Sequence, residues 1–370
     1  MRNDDQAAMR LAHRLARRGL GQTWPNPSVG AVLVQTGPVG EIVGRGWTQT
    51  GGRPHAERVA LEQAGKRAEG ATLYVTLEPC AHHGQTPPCS EAIAEAGVAR
   101  VVYAMEDPDP RVRGQGYEAL RQAGIEVERL SEASDAHWPA HGHVLRQTQS
   151  RPFVQLKLAV GADGRLKPGD GAPVWVTSEI ARARGHLLRA QADAILVGRN
   201  TIVADDPSLT CRLPGLASRS PIRIVLDSGL NLPPCARILT SANDTQVIIV
   251  CGNEVDRERA RPFEKNGVEV LQVPANSQGV DLIHALTMLA RKGITRLLVE
   301  GGPTVAKTCM GAGVVDEAVV FIGTIPAGKK GLMPFVEEGL ERLTESDEFM
   351  LHNERTLGAD RMAVYRRRPA

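Results

Sequence analysis

The chain of 370 residues is poor in aromatic side chains, with Phe, Tyr and Trp together at 4%, and 44 Lys and Arg nearly cancel 42 Asp and Glu. Without a basic surplus there is no general attraction for a polyphosphate, and without aromatic platforms there is little for bases to stack on. Nucleic-acid binding therefore loses its two usual supports. No apolar run approaches the roughly 20 residues that cross a bilayer. The N-terminus places Ala8, Leu11, Ala12 and Leu15 at helical spacing with arginines between them, and reads as an amphipathic helix instead of a secretion signal. Six irregularly spaced cysteines, at 80, 89, 211, 235, 251 and 309, make no disulfide framework, which fits a reducing cytoplasm. There is no G-x-G-x-x-G after a first strand, so a Rossmann dinucleotide site is not supported. These absences favour a small-molecule enzyme with no nucleic-acid or membrane partner; a homo-oligomer stays open.

The length points to two domains. From Ser28 onward strands and helices alternate: SVGAVLV, EIVGRGW, a helical HAERVALEQAG, ATLYVTL, a helix through SEAIAEAG, RVVYAM, a helix through GYEALRQAG, and IEVERL. The alternation stops at SEASDAHWPAHGHVLRQTQSR, residues 131–151, which reads as a polar, irregular boundary between a first domain of residues 1–146 and a second of 151–370. A second α/β series follows, from FVQLKLAV through DAILVG, PIRIVLD, QVIIVC, VEVLQV and ITRLLVE to DEAVVFIG and RMAVYRR.

Metal chemistry is concentrated in the first series. His55 and Glu57 open a helix as H-x-E, Pro79 and Cys80 follow a strand, and Cys89 comes nine positions later. An H-x-E alone is a chance match. With P-C and a later cysteine it is the pattern of zinc deaminases of nucleobases, in which the glutamate shuttles protons. One histidine and two cysteines leave a fourth zinc position for water, as a catalytic site needs. Zinc makes that water nucleophilic near neutral pH, and Glu57 would move its proton to the departing amine, giving hydrolytic deamination. His82 and His83 compete as donors but lie in the loop between the cysteines, where they read as substrate-side or structural. Thr86 is the expected N-cap and Pro87 the first helical residue of the helix carrying Cys89, whose thiolate the helix dipole would favour.

In the second series GGPT follows ITRLLVE and precedes a helix, so its N–H groups either meet an anion or only make a tight turn. ADDPSLTCR reads as a loop after DAILVG, where Arg212 either pairs with a phosphate or is solvated. Lys157, inside FVQLKLAV, either points to solvent by strand alternation or enters a cleft as a proton donor.

WPNPSVGAVLV, GGRPHAE, TLEPCAHHGQTPPC, EDPDPRV, QLKLA, HLLRAQADAILVG, ADDPSLTCR and VEGGPT, in this order, resemble the bifunctional deaminase/reductase of riboflavin biosynthesis. The likeness covers nearly the whole chain and weakens only in the linker, near 232–246 and in the last forty or so residues. It implies an N-terminal cytidine-deaminase-like three-layer α/β/α domain and a C-terminal dihydrofolate-reductase-like α/β domain. The first would deaminate a diaminopyrimidinone ribonucleotide with Zn2+; the second would reduce the ribosyl group to ribityl with NADPH. By the same resemblance His55, Cys80 and Cys89 match the zinc ligands, Glu57 the proton shuttle, and Asn26 a residue bordering the deaminase pocket. Ala159, Trp175, Thr201, Asp205, Ser228, Gly302, Pro303 and Thr304 match positions touching the nicotinamide cofactor. Arg189, Leu209, Arg212 and Glu300 match positions holding the ribonucleotide.

The chain departs from the family pattern at several positions. Thr48 stands where many members have histidine, Gln85 where a basic residue often precedes TPPC, and D-P-N-P becomes Asp107 to Pro110. S-L-D-G becomes GADG, and Pro173 replaces a serine, removing a hydroxyl and an N–H. The competing reading is a deaminase of another nucleotide or of a tRNA base with a non-catalytic second domain.

Overall fold

The structure is a computed structural model that describes residues 3–35, 40–84, 86–130, 138–167, 175–277 and 279–368. Gln85 and Pro173 lie outside the described residues. The chain divides into two compact units, Met1–Arg151 and Pro152–Ala370.

The first unit contains α1 (Asn3–Gly19), β1 (Gly30–Gln35), β2 (Glu41–Trp47), α2 (Ala56–Ala64), β3 (Thr72–Val75), α3 (Cys89–Glu95), β4 (Arg100–Tyr103), α4 (Gln115–Gln122), β5 (Glu126–Arg129) and α5 (His141–Gln149). The sheet order is β2-β1-β3-β4-β5, with β1 antiparallel to both neighbours and β3, β4 and β5 parallel. Strand alternation sorts the core into two layers. Ala31, Leu33, Leu73, Val75 and Val101 pack with Ala60 of α2, Ile93 of α3 and Leu120 of α4. The intervening Val32, Tyr74 and Val102 pack with Met9, Ala12 and Leu15 of α1. Burying side chains such as Leu73 and Ile93 contributes about 1.5–3 kcal/mol each. Two glycines let α2 pack closely on β2: a Cβ on Gly44 would lie 2.2 Å from Ala60 O, and one on Gly46 2.1 Å from Ala56 O. The helix thus rests backbone to backbone on β2.

Of the segment expected to be irregular, 131–151, residues 131–137 lie outside the described residues, and the later part is corrected by α5, whose last turn extends past residue 146. Its sequence, HGHVLRQTQ, hides the helix because its interior face is made by Gly142, His143 and Leu145 instead of an apolar stripe. His143 reaches Asp107 Oδ1 with Nε2 at 2.8 Å.

The second unit contains β6 (Phe153–Val160), α6 (Glu179–Ala190), β7 (Ala194–Gly198), α7 (Arg199–Asp205), β8 (Ile222–Leu226), α8 (Arg237–Thr240), β9 (Val247–Gly252), α9 (Arg257–Lys265), β10 (Val268–Val273), the short β11 (Ala275–Asn276) and β12 (Gly279–Val280), α10 (Leu282–Arg291), β13 (Arg296–Val299), α11 (Pro303–Gly311), β14 (Glu317–Ile322), α12 (Glu341–Thr344), β15 (Phe349–Leu357) and β16 (Asp360–Arg367). Nine strands form one sheet, β10-β9-β8-β7-β13-β6-β14-β16-β15, parallel from β10 to β14 and closed by the antiparallel β16 and β15.

One face of this sheet packs Val154, Leu156, Leu158 and Val160 of β6 against Leu286 and Leu289 of α10 and Met310 of α11. The other packs Ile195, Val225, Ile249 and Leu298 against Leu188 of α6, Leu239 of α8 and Ala260 of α9. Alternation turns Gln155, Lys157 and Ala159 toward this second face. Helix α7 directly follows DAILVG and runs to Asp205, so it takes in the first two residues of ADDPSLTCR, while residues 206–212 form the expected loop. Asp206 ends the helix as the C-cap residue in the left-handed region, φ 37°, a conformation that a short acidic side chain tolerates.

Candidate active sites

In the first unit His55 is the N-cap residue of α2, with φ −68° and ψ 159°, and Glu57 falls in the first turn of that helix. Cys80 follows β3, and Cys89 is the first residue of α3. His55 Nδ1 lies 3.6 Å from Cys80 Sγ and 3.4 Å from Cys89 Sγ. All three donor atoms are within 4.8 Å of one another, a group that could hold a metal ion. A soft set of one imidazole and two thiols suits zinc. Glu57 is only 4% exposed, and burial pushes its carboxyl above the ordinary range, against the pull of His55.

The start of α3 differs from expectation. Pro88, not Thr86, is its N-cap residue, and no side chain caps it. Pro87 precedes a second proline and is kept from the helical region, so the helix begins one residue after the pair. Thr86 instead accepts from Arg53 Nη1 at 2.7 Å. The Cys89 N–H, at the helix start, donates to Cys80 Sγ at 3.3 Å. Hydrogen bonding from the Cys89 side chain pulls Cys80 down to about 4, and the same contact pushes Cys89 up.

His83 meets Glu91 of α3 at 3.0 Å, and both are exposed. The Nδ1 of His82 is buried without a hydrogen-bond partner among the described residues. Neither joins the His55, Cys80 and Cys89 group. Asn26 donates from Nδ2 to Gly52 O at 2.9 Å, tying the PNP segment to the turn that enters α2. Thr48 is buried, and its hydroxyl accepts from Val29 N at 3.0 Å. Asp109 is bound by Arg111, whose hydrogen bond holds the carboxyl near 2.

A residue absent from the sequence-based site is Glu78. Its buried carboxylate accepts from the backbone N–H of Asp107 at 3.3 Å, Gly114 at 3.2 Å, Gly116 at 2.9 Å and Tyr117 at 3.4 Å. It therefore fastens the segment after β4 and the start of α4 to the loop after β3 that carries Pro79 and Cys80. The available signal was a carboxylate at the end of the apolar run ATLYVTL.

In the second unit Arg189 of α6 holds Glu300 with Nε to Oε1 at 2.8 Å and Nη2 to Oε2 at 2.9 Å, and donates from Nη1 to Thr210 O at 3.1 Å. Lys157 Nζ stands 3.6 Å from Glu300 Oε2, and its side chain is 22% exposed. The alternate face of β6 is thus covered by α6 at this position: a Cβ on Gly185 would lie 3.9 Å from Lys157 Cε. Arg212 donates its backbone N–H to His186 Nδ1 of α6 at 3.3 Å, and its guanidinium reaches Ser208 Oγ at 3.2 Å. Burial, with Arg189 and Arg212 nearby, lowers His186 to about 4. Leu209 is buried at φ 55°, which turns the 208–212 strip back onto α6. Arg189, Leu209, Arg212, Glu300 and Lys157 are thereby gathered.

The residues matched to cofactor contacts lie at the C-terminal ends of neighbouring parallel strands, the usual ligand edge of such sheets. Ala159 is near the end of β6, Thr201 and Asp205 are in the helix after β7, Ser228 follows β8, and Gly302 to Thr304 follow β13. A Cβ on Gly302 would lie 3.8 Å from Thr201 Oγ1, so the starts of α7 and α11 face each other. No side chain caps α11. Asp205 pairs with Lys167 at 2.6 Å. Trp175, 61% exposed, lies under Arg182 of α6 at 4.6 Å.

Comparison with known proteins agrees with this division. The family described as cytidine and deoxycytidylate deaminase zinc-binding region matches residues 2–105, and the RibD C-terminal domain family matches 152–356. The riboflavin biosynthesis protein RibD of Escherichia coli is 40% identical, covering 96% of this chain and 97% of that protein. A structure of RibD from Acinetobacter baumannii has a TM-score of 0.85 and 34% identity, covering 99% of both chains. A structure from Thermotoga maritima, described as a diaminohydroxyphosphoribosylaminopyrimidine deaminase/5-amino-6-(5-phosphoribosylamino)uracil reductase, has a TM-score of 0.83 and 33% identity, covering 98% of both. The chain belongs to the RibD family of bifunctional deaminase/reductases of riboflavin biosynthesis, with a zinc-dependent deaminase domain followed by an NADPH-dependent reductase domain.

Proposed function

We propose that the first domain, residues 1–146 with the last turn of α5 following it, deaminates 2,5-diamino-6-(5-phosphoribosylamino)pyrimidin-4-one to 5-amino-6-(5-phosphoribosylamino)uracil. The second domain, 151–370, then reduces the ribosyl side chain to ribityl. The observation carrying the first step is the convergence of His55, Cys80 and Cys89 donor atoms within 4.8 Å beside the buried Glu57. These three side chains would hold zinc, which supplies Lewis acidity that makes water nucleophilic near neutral pH. Glu57, held in the first turn of α2, takes a proton from the attacking water and delivers it to the leaving amine. Asn26 borders the pocket through its hold on Gly52.

For the second step NADPH supplies the reducing equivalents. Ala159, Trp175, Thr201, Asp205, Ser228 and Gly302 to Thr304 bind it, and Arg189, Leu209, Arg212 and Glu300 hold the ribonucleotide. Arg212 binds phosphate through its fork of N–H donors. Lys157 protonates the sugar oxygen as the anomeric carbon is reduced. Near-balanced charge and irregular cysteine spacing support a cytoplasmic enzyme of a small pyrimidine nucleotide, without a nucleic-acid partner. No helix among the described residues is long and apolar enough to cross a membrane.

The test is to offer the purified, zinc-loaded protein the diaminopyrimidinone ribonucleotide with and without NADPH. Ammonia release without cofactor, then NADPH oxidation, is expected. No ammonia would overturn the deaminase reading; ammonia without oxidation would overturn the reductase reading.

A further inference from the structure

Arg53 stands at the rim of the deaminase centre as a half-buried cation, and among the described residues no carboxylate pairs with it. Its Nη1 lies 2.7 Å from Thr86 Oγ1 and 3.5 Å from His55 Nε2. A Cβ on Gly84 would lie 3.5 Å from Nη2, so the guanidinium fills the space between the turn entering α2 and the loop entering α3. The neutral hydroxyl of Thr86 satisfies one N–H and leaves the charge unbalanced.

The His55 contact does not balance it either. The two sulfurs face Nδ1 of His55, so Nδ1 is the nitrogen turned toward the metal-holding group. A neutral imidazole coordinating through Nδ1 carries its proton on Nε2 and has no lone pair there for a guanidinium. A partly desolvated arginine with spare donors and no anion is suited to an anion brought by the ligand. On a phosphoribosylaminopyrimidine the phosphate is the group with full negative charge.

Resting on the deaminase reading above, we propose that Arg53 is a specificity-determining residue of the first step, which binds the substrate's phosphate and so selects nucleotide over nucleoside. The carboxylates nearest the centre do not compete for this place: Glu57 is buried within α2, and Glu91 is engaged by His83.

The test uses the full chain with zinc bound, comparing ammonia release from the diaminopyrimidinone ribonucleotide and from its dephosphorylated nucleoside. Ribose 5-phosphate serves as a competitor that reads the same contact without turnover of the nucleoside. In Arg53→Gln the KM for the ribonucleotide and the inhibition constant of ribose 5-phosphate should rise roughly 10- to 100-fold, the range for losing a charged hydrogen bond. Nucleoside kinetics, zinc content and reductase turnover should stay near wild type, and Arg53→Lys should recover part of the loss. Thr86→Val, which removes the tie between the loops but keeps the cation, should retain nucleotide preference.

Wild-type preference in Arg53→Gln would overturn the proposal. So would an equal loss on nucleotide and nucleoside, or a Thr86→Val that reproduces the defect, since each makes Arg53 a loop tie only. No ammonia from the wild-type protein would sink the deaminase reading and this proposal together, whereas an active Arg53→Gln with unchanged preference sinks this proposal alone.

Discussion

Arg189 and Glu300 face each other through two parallel contacts, Nε to Oε1 at 2.8 Å and Nη2 to Oε2 at 2.9 Å, with side chains only 14% and 9% exposed. Burial alone would raise Glu300, but Arg189 and then Lys157 outweigh it and hold the carboxyl at about 2, below its ordinary 4.5. A depressed carboxyl adds stability that is present above the unfolded value and is lost as pH falls through the folded one. Between about pH 5 and 2 this group should cost the reductase domain on the order of 3 kcal/mol. Glu300→Gln should therefore show a shallower acid dependence in urea unfolding over that window. At neutral pH it should be less stable by about 3–5 kcal/mol, because it strands a buried arginine. Identical acid slopes for both proteins would contradict this account.

Metal removal should separate the two activities. With a chelator, or in Cys80→Ser and Cys89→Ser, zinc content and ammonia release should fall together while reduction of supplied aminouracil ribonucleotide continues. Added zinc should restore the chelated wild type but not the variants. Ammonia release that persists in zinc-free protein would rule out the His55, Cys80 and Cys89 assignment.

Glu57→Gln keeps the shape of the carboxyl and removes its capacity to carry a proton. Zinc should remain bound at the wild-type level, and deaminase kcat should fall roughly 10²- to 10⁴-fold, the usual weight of general acid–base catalysis. Loss of zinc in this variant would make Glu57 a structural support of the site.

The parts legible in the sequence are those where chemistry and periodicity coincide. The strands FVQLKLAV and EIVGRGW appear with the bounds their apolar residues suggest, and His55, Cys80 and Cys89 converge because His55 caps α2, Cys89 opens α3 and Cys80 lies in the loop that leaves β3. Elements without a buried stripe were not legible. The edge strand β15 buries Phe349 and otherwise carries mostly exposed or half-exposed residues, and α9 buries only Ala260 and contains Pro262. Glu78 was hidden for a different reason: its partners are backbone N–H groups, including those 36 to 39 residues downstream, and no side-chain motif records them.

Glu78 gives a stability prediction that separates it from the chemistry. Four backbone donors converge on one buried carboxylate, and Gly116 sits so close that a Cβ would lie 1.9 Å from Pro79 O. Glu78→Ala should leave those donors unsatisfied and destabilise the deaminase domain by about 2–4 kcal/mol. Hydrogen exchange of the 107–117 segment should accelerate, and zinc affinity should drop because the neighbouring Cys80 loses its backing. Unchanged exchange in that segment would show that the clamp contributes nothing.

Lys157 poses the sharpest question in the reductase domain, because its ammonium, 3.6 Å from Glu300 Oε2, could act as a proton donor or only balance charge. Two substitutions separate these roles. Lys157→Met removes both and should cut NADPH oxidation roughly 10²- to 10⁴-fold while deamination proceeds. Lys157→Arg keeps a cation beside Glu300 but replaces the ammonium with a guanidinium that does not give up its proton near neutral pH. If Lys157 donates the proton, arginine should restore stability lost in Lys157→Met without restoring reduction, measured by single-turnover NADPH oxidation beside urea unfolding. If arginine restores both, the lysine is an electrostatic partner of Glu300 and the donor lies elsewhere.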